Sequence, residues 1–138
     1  VALKVSTSRK PSAVQLKGFY AHAWWTKGRS LAQVRSLLKH SDLIVTAWEG
    51  RELVGFARVG TDFCFRAVIW DVIVHPGQHR RGIGSRLIKA ITSHPKLAGV
   101  ESFWLFTSDK QPFYKKLGFE FFPKNLMVYR TRRAKVRP

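Results

Sequence analysis

Residues 72–85 read Val72-Ile73-Val74-His75-Pro76-Gly77-Gln78-His79-Arg80-Arg81-Gly82-Ile83-Gly84-Ser85, a β-branched run that breaks at Pro76 and reopens at Gly82 into a helical pattern. A strand that runs through glycines into a helix start makes a cradle for a diphosphate. The first N–H groups of a helix lack intrahelical partners and together carry about half a positive charge, and glycines remove the side chains that hold an anion away. His79, Arg80 and Arg81 add donors at its rim. Spacing separates the known phosphate loops. Gly77 and Gly82 stand at the G-x-x-x-x-G interval of a P-loop, but Ile83-Gly84 occupies the place of the Lys-Ser/Thr that reaches phosphate and Mg²⁺. A dinucleotide fingerprint needs a third glycine where Leu87 sits and an acid about twenty residues on, where Glu101 alone is near.

The run His79-Arg80-Arg81-Gly82-Ile83-Gly84 resembles the Q/R-x-x-G-x-G/A acetyl-CoA loop of the GNAT superfamily of N-acetyltransferases, which follows a strand carrying V-x-P or a close variant. His79 stands where that motif has Gln or Arg. Downstream, Pro112-Phe113-Tyr114-Lys115-Lys116-Leu117-Gly118-Phe119 is similar to the A-x-x-x-Y-x-x-x-G-F segment that ends these domains. Two motifs in this order are far more specific than either alone. The resemblance covers residues 43–122. Within it, G-F-A-R-V-G-T-D from Gly55 and I-W-D-V-I-V-H-P from Ile69 look like the plastid and cyanobacterial branch that includes serotonin N-acetyltransferase-like enzymes.

The resemblance implies an α/β GNAT acyltransferase fold: a central, mostly antiparallel sheet, a splay between two parallel strands, and flanking helices. It implies acetyl-CoA as the acetyl donor, with Val72, Ile73 and Val74 pairing their backbone with the pantetheine arm. His79, Arg80, Arg81, Gly82, Ile83, Gly84 and Ser85 would meet the diphosphate, and residues 104–107 would form the opposite wall of the splay. Thr107 or Ser108 replaces an Asn that often binds the arm. A backbone N–H near Val74 would polarise the thioester carbonyl, a contribution on the order of 3 kcal/mol. Tyr114 matches the tyrosine that protonates the departing thiolate; its alternative is a core tyrosine that hydrogen-bonds the sulfur. The implied reaction is direct attack by a primary amine, an arylalkylamine such as serotonin or a lysine side chain.

A base must take the ammonium proton before attack. Strand alternation puts Asp71, Ile73 and His75 on one face and Trp70, Val72 and Val74 on the other. Asp71 is therefore the candidate base, although a lone acid in a basic protein ordinarily serves as a salt-bridge partner. His75 titrates near neutrality, yet its place before Pro76 reads as loop. The acid that many relatives carry on the strand after the loop helix has no counterpart, since Ser102 stands there.

Among 138 residues, 25 Lys and Arg face 8 Asp and Glu, for a net charge of +17. Such a field captures polyanions, CoA among them. It exceeds what one cofactor requires, so nucleic acid or an anionic membrane surface is a second partner that charge allows. A non-catalytic acyl-CoA-sensing or nucleic-acid-associating module is accordingly the alternative to an enzyme. The same field repels a cationic amine, whose approach then depends on local acids such as Asp62, Asp71 or Asp109. No apolar run reaches the roughly eighteen residues of a membrane span. A monomer or a homodimer fits, in the cytoplasm of a bacterium or the plastid stroma of a plant or alga. The acid-free residues 1–41 lack an initiating Met and have the composition of an organelle transit sequence, as a trimmed precursor would, or as an arbitrary boundary would.

Cys64, flanked by Phe63 and Phe65, reads as a buried packing residue. Most of Trp24, Trp25, Trp48, Phe63, Phe65, Trp70, Trp104, Phe106 and Phe113 are expected in the core. Strands are predicted at 3–6, 43–48, 52–59, 65–74 and 100–106, with a last pair at 119–122 and 127–129. Helices are predicted from Pro11-Ser12 to about Trp24, from Ser30 with Leu31, Val34, Leu37 and Leu38 on one face, at 84–92 and at 111–117. Strands interleaved with helices predict one domain over residues 1–130. Residues 131–138 follow as a basic tail.

Overall fold

The computed structural model describes residues 2–133, with the backbone alone at His79 and Arg80. The described residues form two compact units, divided after Leu105. The first holds a sheet in the order β1 (Leu3–Ser6), β2 (Leu43–Glu49), β3 (Glu52–Thr61), β4 (Arg66–Val74) and β5 (Ser102–Leu105). The first three pairings are antiparallel and β4–β5 is parallel. Helices α1 (Ala13–Phe19), α2 (Leu31–His40) and α3 (Ile83–Thr92) complete the unit. No helix among the described residues is long and apolar enough to cross a membrane.

Local chemistry sets the helix ends. The Ser12 hydroxyl accepts from the Gln15 N–H, and Ser30 forms a capping box with Gln33, each replacing a lost intrahelical bond at a helix start. Helix α1 stops at Phe19 and tightens into a 3-10 turn, Tyr20–His22, short of the expected Trp24. Thr26 explains the stop. Its hydroxyl donates to the carbonyls of Tyr20, at 2.7 Å, and Ala23, at 3.3 Å, so a side chain takes carbonyls the helix would have used.

The helices cover both faces of the sheet. Leu16, Phe19, Tyr20 and Val34 pack with Ile44, Trp48, Phe56 and Ile73 in one cluster. Gly55, the neighbour of Phe56, points the other way: a Cβ there would stand 2.8 Å from Ile83 Cγ2 and 3.3 Å from Leu87 Cδ1. The missing side chain lets α3 lie directly on β3. Ile83, Leu87, Ile88 and Ile91 are buried on that side.

Four expectations change here. Residues 119–122 and 127–129 form no strands. Met127 and Tyr129 are 94% and 92% exposed, and a strand without a ladder partner leaves its backbone to water. In the second unit α4 (Gln111–Lys116) is closed by Leu117 as its C-cap and then by Gly118, whose φ of 95° suits glycine. Cys64 is exposed, not buried. It sits in a turn organised by Asp62, whose carboxylate accepts from the backbone N–H of Cys64, Phe65 and Arg66. Trp24, Trp25, Phe63, Phe65, Trp70, Trp104 and Phe106 are also exposed, leaving Trp48 the buried member of the expected aromatic core. Residues 130–133 are exposed and belong to no helix or strand, and 134–138 of the expected tail lie outside the described residues.

The fourth change is a bulge. Ile73 pairs with Phe56 and Trp70 with Arg58, so Asp71 and Val72 together oppose Ala57. Asp71 takes a φ of 55°, the left-handed conformation that Asp tolerates better than most residues. Arg58 then reaches both neighbours: its Nε is 2.8 Å from Asp71 Oδ2 and its guanidinium carbon 6.0 Å from the Trp70 ring centre. Strict alternation would have put Trp70 and Asp71 on opposite faces. The extra residue brings them to one.

Candidate active site

The β4–β5 ladder starts at Arg66↔Ser102 and stops at Ile69↔Leu105. Strand β4 runs on to Val74, held from its other side by β3. The ladder thus ends where β5 ends, and no strand pairing is formed along the edge of β4 that faced β5 at residues 72–74 among the described residues. The backbone of Val72, Ile73 and Val74 offers alternating N–H and C=O groups along this edge, the pairing surface of one more extended chain.

The chain then turns through a 3-10 segment, Pro76–Arg81, into α3. His75 starts the turn: its Nδ1 accepts from the Gly77 N–H at 3.1 Å. Arg81 fastens its end, with Nη1 bonded to the Glu49 carboxylate and, at 2.8 Å, to Gln78 Oε1. This ties the Arg81 guanidinium to β2. Gly82 occupies the left-handed region with a φ of 69° and is the N-cap of α3, with no side-chain cap and no acid in the first turn. The first helical bond back to Gly82 O comes from Arg86 N. The N–H groups of Ile83, Gly84 and Ser85 are therefore without helical partners, unlike the starts of α1 and α2, which serines cap. That is the donor set a diphosphate needs. The side chains of His79 and Arg80 lie outside the described residues.

Asp71 is 8% exposed. Arg29 grips it with both Nη groups, at 2.5 and 3.1 Å, Arg58 Nε stands at 2.8 Å and the Tyr20 hydroxyl donates at 3.1 Å. Burial works to raise its pKa. The hydrogen bond from Arg29 and the charges of Arg58 and Arg29 outweigh burial and hold it below the ordinary carboxylate range. A carboxylate so held is a weaker proton acceptor than a free one, and it anchors Arg29 and Arg58 at the bulge. Tyr20 is pushed the other way, by burial first and then by the Asp71 charge, so its hydroxyl stays a donor.

A second group of ionisable side chains lies on the α1 side. An open cleft of about 210 Å³ is lined by Gln15, Gly18, Phe19 and His22 together with Glu52, Leu53 and His75. The His22 and His75 rings are 4.6 Å apart, and His75 Nε2 is 3.6 Å from Glu52 Oε1. Burial and then the neighbouring His75 lower the His22 pKa, while Glu52 opposes them. Sequence reading passed over His22, Glu52, Arg29 and Arg58. No local spacing relates them, because α1 and the pairing of β3 with β4 bring them together.

In the second unit Tyr114 is 8% exposed, with the rings of Phe113 and Phe119 edge-on at 4.9 and 5.7 Å. Burial pushes its pKa up to about 12, so the phenol is protonated at neutral pH. Thr107 Oγ1 accepts from Lys110 N at 3.0 Å, and its carbonyl accepts from Gln111 Nε2 at 3.3 Å. Thr107 thus shapes the entry to α4.

Residues 5–119 match the acetyltransferase (GNAT) family. The uncharacterized N-acetyltransferase ycf52 of Pyropia yezoensis is 33% identical over 120 residues, which are 83% of this chain and 68% of that protein. The chloroplastic serotonin N-acetyltransferase 2 of Oryza sativa subsp. japonica is 30% identical over 113 residues, 75% of this chain and 56% of that one. A crystal structure of a GNAT-family protein from Xanthomonas campestris pv. campestris superposes with a TM-score of 0.81 at 31% identity, covering 95% of this chain and 94% of the other. Open strand edge, left-handed glycine, uncapped helix start and sequence kinship agree: the chain belongs to the GNAT family of acetyltransferases.

Proposed function

We propose that this protein moves an acetyl group from acetyl-CoA to a primary amine, an arylalkylamine such as serotonin or a lysine side chain, by direct attack. The observation that carries the proposal is the unpaired edge of β4 leading into the uncapped, glycine-started helix α3. Val72, Ile73 and Val74 hold the pantetheine arm as a neighbouring strand would, and Gly82, Ile83, Gly84 and Ser85 hold the diphosphate, with His79, Arg80 and Arg81 at its rim. When bound there, acetyl-CoA supplies the thioester carbon that the amine attacks.

The chain's own groups do the rest. A backbone N–H near Val74 donates to the oxygen on which charge develops. Tyr114 donates to the departing sulfur. Against a thiol of ordinary pKa near 8.5, a phenol at about 12 gives up its proton uphill by roughly 5 kcal/mol. Tyr114 therefore acts chiefly as a hydrogen-bond donor to the developing thiolate. Asp71, charged and saturated with donors, holds Arg29 and Arg58 at the bulge. The chloroplastic rice relative supports a plastid location.

Incubation with acetyl-CoA and a panel of serotonin, tryptamine, polyamines and lysine peptides, followed by free-thiol release, tests the reading. Thiol release above hydrolysis with at least one primary amine is expected. Tight acetyl-CoA binding with no amine-dependent thiol would leave an acyl-CoA-sensing module instead.

A further inference from the structure

With Asp71 clamped between two arginines, the proton that leaves the attacking ammonium needs another acceptor. We propose that the cleft lined by Phe19, His22, Glu52 and His75 is the subsite for the acceptor's primary ammonium group, in which Glu52 draws the cation and the His22 imidazole takes its proton. This rests on the acetyl-transfer reading above.

Position comes first. His75 directly follows Val74, and its backbone N–H bonds Val54 O at 2.8 Å, so the β3–β4 pairing holds it at the end of the strand on which the acetyl-CoA arm is to lie. Its Nδ1 accepts from Gly77 N, which leaves the proton of the neutral ring on Nε2, the nitrogen that faces Glu52 at 3.6 Å. One imidazole thus joins the diphosphate turn to the cleft.

Charge comes second. The protein carries +17, which repels a cationic amine at long range. Glu52 supplies a carboxylate inside a concavity, with its side chain 59% exposed and reachable by a cation. The Phe19 ring forms an apolar wall and meets His22 edge-on at 5.3 Å. A carboxylate beside an aromatic wall suits an alkylammonium with an apolar stem.

Proton transfer comes third. The titratable groups facing His22 are His75, from the end of β4, and Glu52, from the start of β3. The other walls, Gln15, Gly18, Phe19 and Leu53, carry none. His22 is held toward its neutral form, the form that accepts a proton. The ammonium gives one proton to His22 and becomes a neutral amine with a free electron pair. That pair forms the new C–N bond as the C–S bond breaks; the sulfur leaves with the bonding pair as a thiolate, and the second proton, shed by the nitrogen as it becomes the amide, passes through water to make it the free thiol. The His22 proton returns to solvent through the open mouth of the cleft.

The test uses n-butylammonium, the alkylammonium common to both acceptor classes, and the ring resonances of the histidines. Titration with it should shift His22 and His75 and leave His40 and His94 in place. Glu52→Gln, at an exposed position, should weaken that binding about five-fold while acetyl-CoA affinity holds. In turnover with the amine that the thiol panel identifies, His22→Gln should lower kcat about 10²-fold and remove the acidic limb of the pH profile. Absence of histidine shifts at saturating n-butylammonium overturns the proposal, as does a Glu52→Gln protein with unchanged affinity. A His22→Gln enzyme with a wild-type profile overturns the proton-acceptor role. If no amine is acetylated, the acetyl-transfer reading falls, and the histidine shifts still decide whether the cleft binds an ammonium.

Discussion

Replacing Asp71 by Asn removes one negative charge from the centre of a three-donor clamp and keeps the shape. Asn also tolerates the left-handed φ of 55°, so the substitution isolates charge from backbone strain; Ala would add roughly 1 kcal/mol of strain. Removing one partner from a buried ion pair costs about 3–5 kcal/mol, because the remaining charge is left uncompensated. Here Arg29 and Arg58 keep 25% and 21% side-chain exposure and regain some water. A value just below that range, about 2–3 kcal/mol, applies, and for a domain of this size it lowers Tm by about 6–15 °C. Circular-dichroism melts of both proteins measure it. The pH dependence has a definite sign. The folded pKa of Asp71 is lowered, so its stabilisation is complete above the ordinary carboxylate pKa of about 4 and is lost as pH falls through the folded value. The gap in Tm between the two proteins should hold from pH 8 to pH 5 and close under more acid conditions. An Asn variant that melts with the wild type but loses turnover and the acidic limb of its rate profile would refute the anchor and restore the carboxylate as base.

Three further substitutions test the frame. Tyr114→Phe should cut kcat about 10- to 100-fold, the worth of one donor to developing charge, with acetyl-CoA affinity by calorimetry unchanged; unchanged turnover across pH removes Tyr114 from the reaction. Gly82→Val forces a β-branched residue to a φ of 69° and should abolish acetyl-CoA binding, whereas retained affinity would show that the turn is dispensable. Gly55→Ala places a Cβ 2.8 Å from Ile83 Cγ2 and 3.0 Å from Ala47 Cβ, an overpacking worth about 1–3 kcal/mol in urea unfolding. Gly60→Ala is its control, since a Cβ there meets Trp70 Nε1 at an ordinary 3.6 Å, and equal losses in both would discount the contact with α3.

What the sequence disclosed was whatever its chemistry decides locally. Ser12 and Ser30 announce helix starts because a hydroxyl can accept from an N–H three residues on, and Gly82 with Gly84 announces an anion-accepting helix start because no side chain stands in the way. The uncapped start of α3 was legible for the same reason. The aromatic residues misled, because hydrophobicity says that Trp70 or Trp104 prefers burial without saying whether a helix covers that stretch of sheet. In the event Arg58 and Arg66 lie over those two rings, at 6.0 and 5.5 Å. Nor could alternation foresee the bulge at Asp71. Its partner Arg29 comes from 42 residues away, and nothing in the local pattern points to it.

Five of the chain's eight acids lie on or beside strands β2 to β4, and their placement argues for where an amine enters. Asp42 accepts from the Thr61 N–H, Asp62 from three N–H groups of its own turn, Glu49 holds Arg81, and Asp71 holds Arg29 and Arg58. Each of these four faces a donor that does not titrate near neutrality, so each is committed to structure whatever the pH. Glu52 differs, facing His75 at 3.6 Å inside a cleft. An incoming ammonium can pair with that carboxylate, so n-butylammonium affinity should fall in Glu52→Gln and hold in Asp71→Asn, whereas a loss in Asp71→Asn alone would place the amine at the bulge and not in the cleft.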